Sequence, residues 1–209
     1  MLKIMLSTSA FLLALVPASF AGGTTFGGFA EIAASGQYPT ANPAPLPPGS
    51  VGSIKAGAME IIFESTNLTD IQKTFGGALH DQGEAGGHII WICYGGGEAT
   101  MWFYSDSEMA HGTVSLVAVE NRSPLAEWGC AAAPTGLTAL DFGLPGPGAP
   151  LSDITARYGS SPSDSNGRFS YSGDTPLGDG SESVKFQELV FEAHDGVITA
   201  VAASQETID

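Results

Sequence analysis

The chain has 209 residues, with 22 acidic side chains against only seven Lys and Arg, for a formal net charge of −15. So few cations exclude a phosphate-neutralising patch, and with it nucleic acid as a partner, and they disfavour an anionic membrane surface. Apolar residues make up 43 % of the chain, enough to build a folded core and to exclude global disorder.

In chain order, residues 1–21 have the three parts of a secretory signal: Lys3, the apolar run "FLLALVPASF", and small residues at Ser19 and Ala21. The run is interrupted by Pro17 and is short for a membrane span, so a removed export peptide is expected, with no membrane insertion afterwards and a secreted or periplasmic location. Residues 22–57 are dense in Gly, Ala and Pro without a sustained apolar period. They read as a tether with a short ordered piece around Phe29 to Ile32, or as a segment laid along a sheet edge.

From residue 58 onward the pattern becomes regular. "MEIIFES" reads as a strand, and "LTDIQKTFGG" from Leu68 as a short helix with Thr69 as its cap, Gln72 in the capping box, Leu68, Ile71 and Phe75 on one face, and Gly76 as its stop. Three strand-like runs follow, "HIIWICY", "EATMWFYS" and "GTVSLVAVE", at spacings suited to an antiparallel meander. After a connector of residues 122–150 that contains the strand-like "TALDF", the helix phrase returns as "LSDITARYGS" from Leu151, with Ser152 as cap, Ile154 and Tyr158 on the buried face, and Gly159 as stop. "RFSYS", "SVKFQELVFEA" and "VITAVAAS" then repeat the meander, and Asp195-Gly196 marks a tight turn. In the long second run Val184 and Phe186 are out of phase with Leu189 and Phe191, which predicts a bulge near Gln187 and Glu188.

The expected fold class is therefore α+β, with two tandem β-α-β-β-β repeats, residues 58–121 and 151–209, forming antiparallel sheet with the short helices on one face. The "L-[ST]-D-I-x-x-x-[FY]-G" phrase, the tandem plan and the export signal resemble the β-lactamase inhibitory protein family, built from two helix-plus-meander repeats. A single unit is also similar to the small outer-membrane assembly lipoproteins. The resemblance implies fold over residues 58–209 and a protein partner; no binding residue is carried over from it.

Cys93 and Cys130 are expected to pair in an oxidising compartment. His80, His88, His111 and His194 lack metal-ligand spacing and read as solvated loop residues. Asp164, Asn166, Asp174, Asp179 and Glu182 fit either ordinary turn chemistry or a calcium loop without EF-hand order. No catalytic motif or phosphate loop is present, and no cofactor or metal is expected.

Aromatic residues crowd the first meander. Trp91, Tyr94, Trp102 and Tyr104 are the candidate binding residues, with Trp102 and Tyr104 on one face of their strand and Met101 and Phe103 on the other. Either that face is open and anchors a partner, or the tether or the connector covers it. These features point to an exported non-enzymatic module that binds another protein through a sheet face or loops. The acidity reads as solubility or as a surface for a basic partner. Alternatives are a secreted hydrolase or carbohydrate-active enzyme, which a cleft joining His111 or His194 to carboxylates would favour, and a structural envelope protein.

Overall fold

The computed structural model describes residues 24–36, 43–84, 87–106, 111–178 and 182–208; the expected export peptide and Asp179 lie outside them. Among the described residues no helix is long and apolar enough to cross a membrane. The architecture is α+β: one nine-stranded sheet, one three-stranded sheet and three short helices.

The chain enters through α1 (Gly28–Ala34), then β1 (Ala44–Pro45), the hairpin β2 (Ile54–Ala56) and β3 (Met59–Ile61), and α2 (Leu68–Phe75). Next come β4 (His80–Gln82), β5 (Ile89–Gly96), β6 (Ala99–Asp106) and β7 (Leu116–Glu120), a 3-10 turn at Ala126–Trp128, β8 (Ala131–Ala132) and β9 (Leu140–Asp141). The last elements are α3 (Leu151–Tyr158), β10 (Arg168–Pro176), β11 (Val184–His194) and β12 (Val197–Ile208). The large sheet runs β1-β10-β11-β12-β7-β6-β5-β4, with β8 also on β5. β5-β6-β7 and β10-β11-β12 are antiparallel meanders, and their last strands meet at a central seam where Ala118 pairs with Ala202.

Both meanders have a helix ahead of them, and α2 and α3 start and stop by similar bonds. The Leu68 N–H donates to the Gly112 carbonyl at 3.0 Å, and the Leu151 N–H to the Gly196 carbonyl at 2.8 Å. The glycine after each helix, Gly76 and Gly159, has positive φ, and its carbonyl accepts from Tyr94 Oη at 2.7 Å and Tyr171 Oη at 2.6 Å respectively. Burial pushes the Tyr94 hydroxyl up to about 12 and raises Tyr171 as well, with Tyr158 adding to the latter. Helices of eight residues are not stable alone, and burial of Leu68, Ile71 and Ile154 against the sheet holds them. The expected side-chain caps are absent: Thr69 and Ser152 lie within the first turns, behind Asn67 and Pro150. A turn from a distant strand satisfies the leading N–H instead, so no local cap is required.

Cross-strand register sets two rows of residues side by side on each meander. Toward α2 and α3 stand Ile92-Phe103-Val117 and Tyr94-Met101-Val119 in one meander, and Phe169-Phe191-Val201 and Tyr171-Leu189-Ala203 in the other. The three-stranded sheet β3-β2-β9 closes the same core through Ile54, Ala56 and Ile61. Both strands expected to open the repeats therefore flank β2 and do not join the large sheet.

Two further expectations are corrected. β11 keeps regular register across Gln187 and Glu188 and shifts only at Glu192/Ala193. Phe186 is out of phase with Leu189 and Phe191 because it lines a cavity on the other side of the sheet. Of the readings of residues 22–57 the free tether is the one corrected: its described residues form an ordered piece that includes Phe29 to Ile32, lie along a sheet edge, and belong to the folded body. Phe26, Phe29, Ala30 and Ala33 are buried on the sheet face opposite α2 and α3, and Ala44 and Pro45 pair in parallel with β10 at the edge. Helices thus lie on both faces, and strands such as β7 are buried throughout.

Candidate functional site

The aromatic residues proposed as a binding face are interior. Trp91, Tyr94 and Trp102 are 0 % exposed and Tyr104 8 %. Tyr94 faces α2, while Trp91, Trp102 and Tyr104 are covered by Phe26 and α1, and Trp102 also by Trp128. Alternation along the strands places Trp91 and Tyr94 on opposite faces because they are three residues apart. The cover fits closely. A side-chain carbon on Gly27 would stand 2.5 Å from Trp128 Nε1, and one on Gly28, whose φ is +70°, 2.3 Å from Glu120 Oε1. The Cys93–Cys130 disulfide fastens the segment that carries Trp128 to β5.

Glu120 anchors the front of α1. Its carboxylate is 4 % exposed and accepts from the Phe29 N–H at 3.2 Å, Trp102 Nε1 at 3.3 Å and Arg122 Nη2 at 2.6 Å. Every lone pair that matters has a donor, one of them a cation, as a buried carboxylate requires.

The other end of α1 lies over a different environment. Ala33, Ala34 and Gly36 roof a cavity of about 170 Å³ at the far end of the seam, between β6 and β7 on one side and β11 and β12 on the other. Glu64, Asp106, Glu188 and Glu206 line it, together with Tyr104, Leu116 and Phe186. Among the described residues that line it, none is Lys or Arg. Phe186, Ser204 and Glu206 are partly exposed, so the cavity reaches solvent.

Each carboxylate arrives differently. Glu64 sits at φ 59° in the turn after β3, and its carboxylate accepts from the Thr207 N–H at 2.6 Å, Thr207 Oγ1 at 3.0 Å and Gln205 Nε2 at 2.7 Å. Gln205 is held in turn by Gln187, whose amide also donates to the Val51 carbonyl. Glu188 projects from β11 in the row Ser172-Glu188-Ser204 and is 4 % exposed. Burial pushes its carboxyl up to about 8, with a hydrogen bond from the Ser170 hydroxyl pulling the other way. Burial also raises Glu206, and Asp106 and Glu64 add to it. Tyr104 is pushed to about 12 by burial and then by Asp106 and Glu206. These couplings join Glu206 to Asp106 and Glu64, and Tyr104 to Asp106 and Glu206, whereas Glu188 answers to burial and to Ser170.

The remaining candidates are dispersed. His80 lies on β4, where Nε2 donates to the Gly129 carbonyl at 3.0 Å and Nδ1 faces Thr24 Oγ1 at 3.2 Å, so it is a structural bridge and not a loop residue. His88 pairs with Asp81 and His194 with Glu192, each at 3.3 Å, and His111 occupies a positive-φ turn. None of the four lines the cavity. Asp164 Oδ1 accepts from the Asn166 and Arg168 N–H groups, which is turn chemistry, and Asp174 lies towards the opposite end of β10. Among the described residues no group of three or more His, Cys, Asp or Glu is placed to hold a metal ion. No protein-family model matches the chain, and neither a curated protein nor a solved structure matches it significantly.

Proposed function

We propose that the chain is an exported, non-enzymatic binding module, built from two copies of one helix-plus-meander unit, that engages a basic protein partner at the carboxylate-lined cavity. The duplication is supported by the paired bonds from Leu68 and Leu151, from Tyr94 and Tyr171, and by the matching residue rows toward the two helices. In plan it resembles the β-lactamase inhibitory proteins, built from two helix-plus-meander repeats. The disulfide suits an oxidising compartment.

One observation carries the binding role: a cavity lined by the four carboxyls of Glu64, Asp106, Glu188 and Glu206, with no Lys or Arg among its described lining. The test is co-purification of the mature chain with proteins of the compartment into which it is exported. A retained basic protein that is lost from a Glu188→Gln, Glu206→Gln double variant supports the role. Retention indifferent to both changes removes the cavity from it.

A hydrolase is the second reading, and it rests on Glu188, whose carboxyl burial pushes up to about 8, sharing a cavity with three other carboxyls, since glycoside hydrolysis divides acid and base roles between two such groups. Turnover of soluble oligosaccharides that disappears in Glu188→Gln would favour it over pure binding.

A further inference from the structure

The sheet carries a core on each face, and the two are held differently. The larger one, toward α2 and α3, draws on both meanders and on the three-stranded sheet, and among the described residues it contains no cysteine. On the other face α1 is the cover, and it has little grip of its own. It is seven residues long, too short to be helical unaided, and two of its three buried side chains are the alanines Ala30 and Ala33. Phe29, and Phe26 just ahead of the helix, supply the large apolar contacts.

The segment around Trp128 clamps this cover. The Trp128 ring lies 5.2 Å from that of Trp102 and closes on the backbone of Gly27 and Gly28. On either side of Trp128, the Glu127 carbonyl accepts from the Thr25 N–H at 2.8 Å, and the Gly129 carbonyl from His80 Nε2 at 3.0 Å, while the other nitrogen of that ring faces Thr24 Oγ1. The clamp is itself lightly built, from one 3-10 turn of three residues and the two-residue strand β8. Its covalent tie to the sheet is the bond from Cys130, two residues past Trp128, to Cys93 on β5. Cys93 is 1 % exposed, whereas Cys130 is partly open to solvent.

We propose that the Cys93–Cys130 disulfide is a redox latch on α1. Intact, it holds the Trp128 clamp and the entering segment down over Trp91, Trp102 and Tyr104; reduced, it lets both lift while the core toward α2 and α3 stays folded. The reductant is a dithiol. One of its thiolates attacks the accessible Cys130 sulfur, the S–S bond breaks, and Cys93 leaves as a thiolate and takes up a proton. The second thiol of the reductant then resolves the mixed disulfide, so that two electrons and two protons pass to the protein, which ends with two thiols, and the reductant ends as a disulfide. Because Ala33, Ala34 and Gly36 at the far end of α1 roof the carboxylate-lined cavity, the same lift opens that cavity from above. The latch goes beyond the binding role of the cavity and stands whether or not anything binds there.

The experiment compares amide hydrogen exchange in the intact mature chain, oxidised and after dithiothreitol under native conditions. Its reporters are Phe29 and Ser35, whose N–H groups bond Glu120 Oε1 and the Glu31 carbonyl, against Val190 and Val201 in the second meander. Reduction is expected to speed exchange at Phe29 and Ser35 at least about tenfold, to leave Val190 and Val201 unchanged, and to reverse on reoxidation. A Cys93→Ala, Cys130→Ala double variant, which needs no reductant, is expected to match the reduced chain. Trp128→Ala is expected to give the same pattern with the disulfide intact. Equal acceleration at all four amides would overturn the proposal, since the bond would then support the whole body. So would unchanged exchange at Phe29 and Ser35 in the reduced chain, or a disulfide that dithiothreitol leaves intact.

Discussion

The sheet face beneath α1 divides into a sealed half and an open one. Over the first meander it is built from Trp91, Trp102 and Tyr104, capped by Phe26 and Trp128, and its one deep carboxylate is fully satisfied. Over the second meander the corresponding rows hold Ser170, Ser172, Glu188 and Ser204, and its deep carboxyl has a hydroxyl, Ser170, for a partner and lies beside a cavity with no Lys or Arg among its described lining. On the opposite face the rows under the helices are alike, with Ile71 and Ile154, Tyr94 and Tyr171, and Phe103 and Phe191 in alike positions. Packing demands sameness where a helix must be held. Where that demand is relaxed, one half specialises in closure and the other keeps polar groups in reserve.

The largest effect should come from breaking the sealed half. Glu120→Ala leaves Trp102 Nε1 and the buried Phe29 N–H without their acceptor, while the half-exposed Arg122 turns to water, and denaturant unfolding should show a loss of about 3–5 kcal/mol. Next, Ile71→Ala and Ile154→Ala each empty a fully buried site under a helix. Losses of about 3 kcal/mol for each, equal within about 1 kcal/mol, would sharpen the likeness of the two helix faces, and a large inequality would break it.

The open half should reveal itself through pH. Glu188 titrates near 4.5 when unfolded and is raised to about 8 when folded, so the native state retains a proton that the unfolded state releases. The contribution of Glu188 to stability is therefore fullest below about 4.5 and is lost as pH rises to about 8, by about 1.4 kcal/mol per unit inside that window. Glu206, also raised, acts in the same sense. In thermal melts from pH 4.5 to 8, Glu188→Gln should flatten most of this slope; an unchanged slope would mean that Glu188 does not set it. The smallest effect expected is from Tyr94→Phe and Tyr171→Phe, each removing one bond to a helix-ending carbonyl at about 1 kcal/mol.

Much of the helix face was legible before any coordinates, because the spacing of Leu68, Ile71 and Phe75, the glycine stops and the alternation on β6 are local signals. The Cys93–Cys130 pairing followed from there being two cysteines. What was not legible depends on partners distant in the chain. α1 lacks a sustained apolar period and is stable only because Phe29, Ala30 and Ala33 find the far side of a sheet completed by the last strand. The start of each helix is satisfied by a turn more than forty residues away, which no capping motif reports. The cavity joins Glu64, Asp106, Glu188 and Glu206 from four separate elements, so their spacing carries no motif. Phe186 was misread for the same reason: alternation says that it faces away from Leu189, but not that a recess awaits it there.

The placement of the entering segment also sets an order of events. α1 packs on β7 and β12, and β1 pairs with β10, so the earliest described residues rest on strands that the ribosome makes last. During synthesis, then, Phe26 can settle on Trp91, Trp102 and Tyr104 once the first meander is made, whereas the contacts of α1 with β12 and of β1 with β10 wait for the C-terminal strands. The entering segment is thus fastened in two instalments, the aromatic one first and the one that ties it to the end of the chain last.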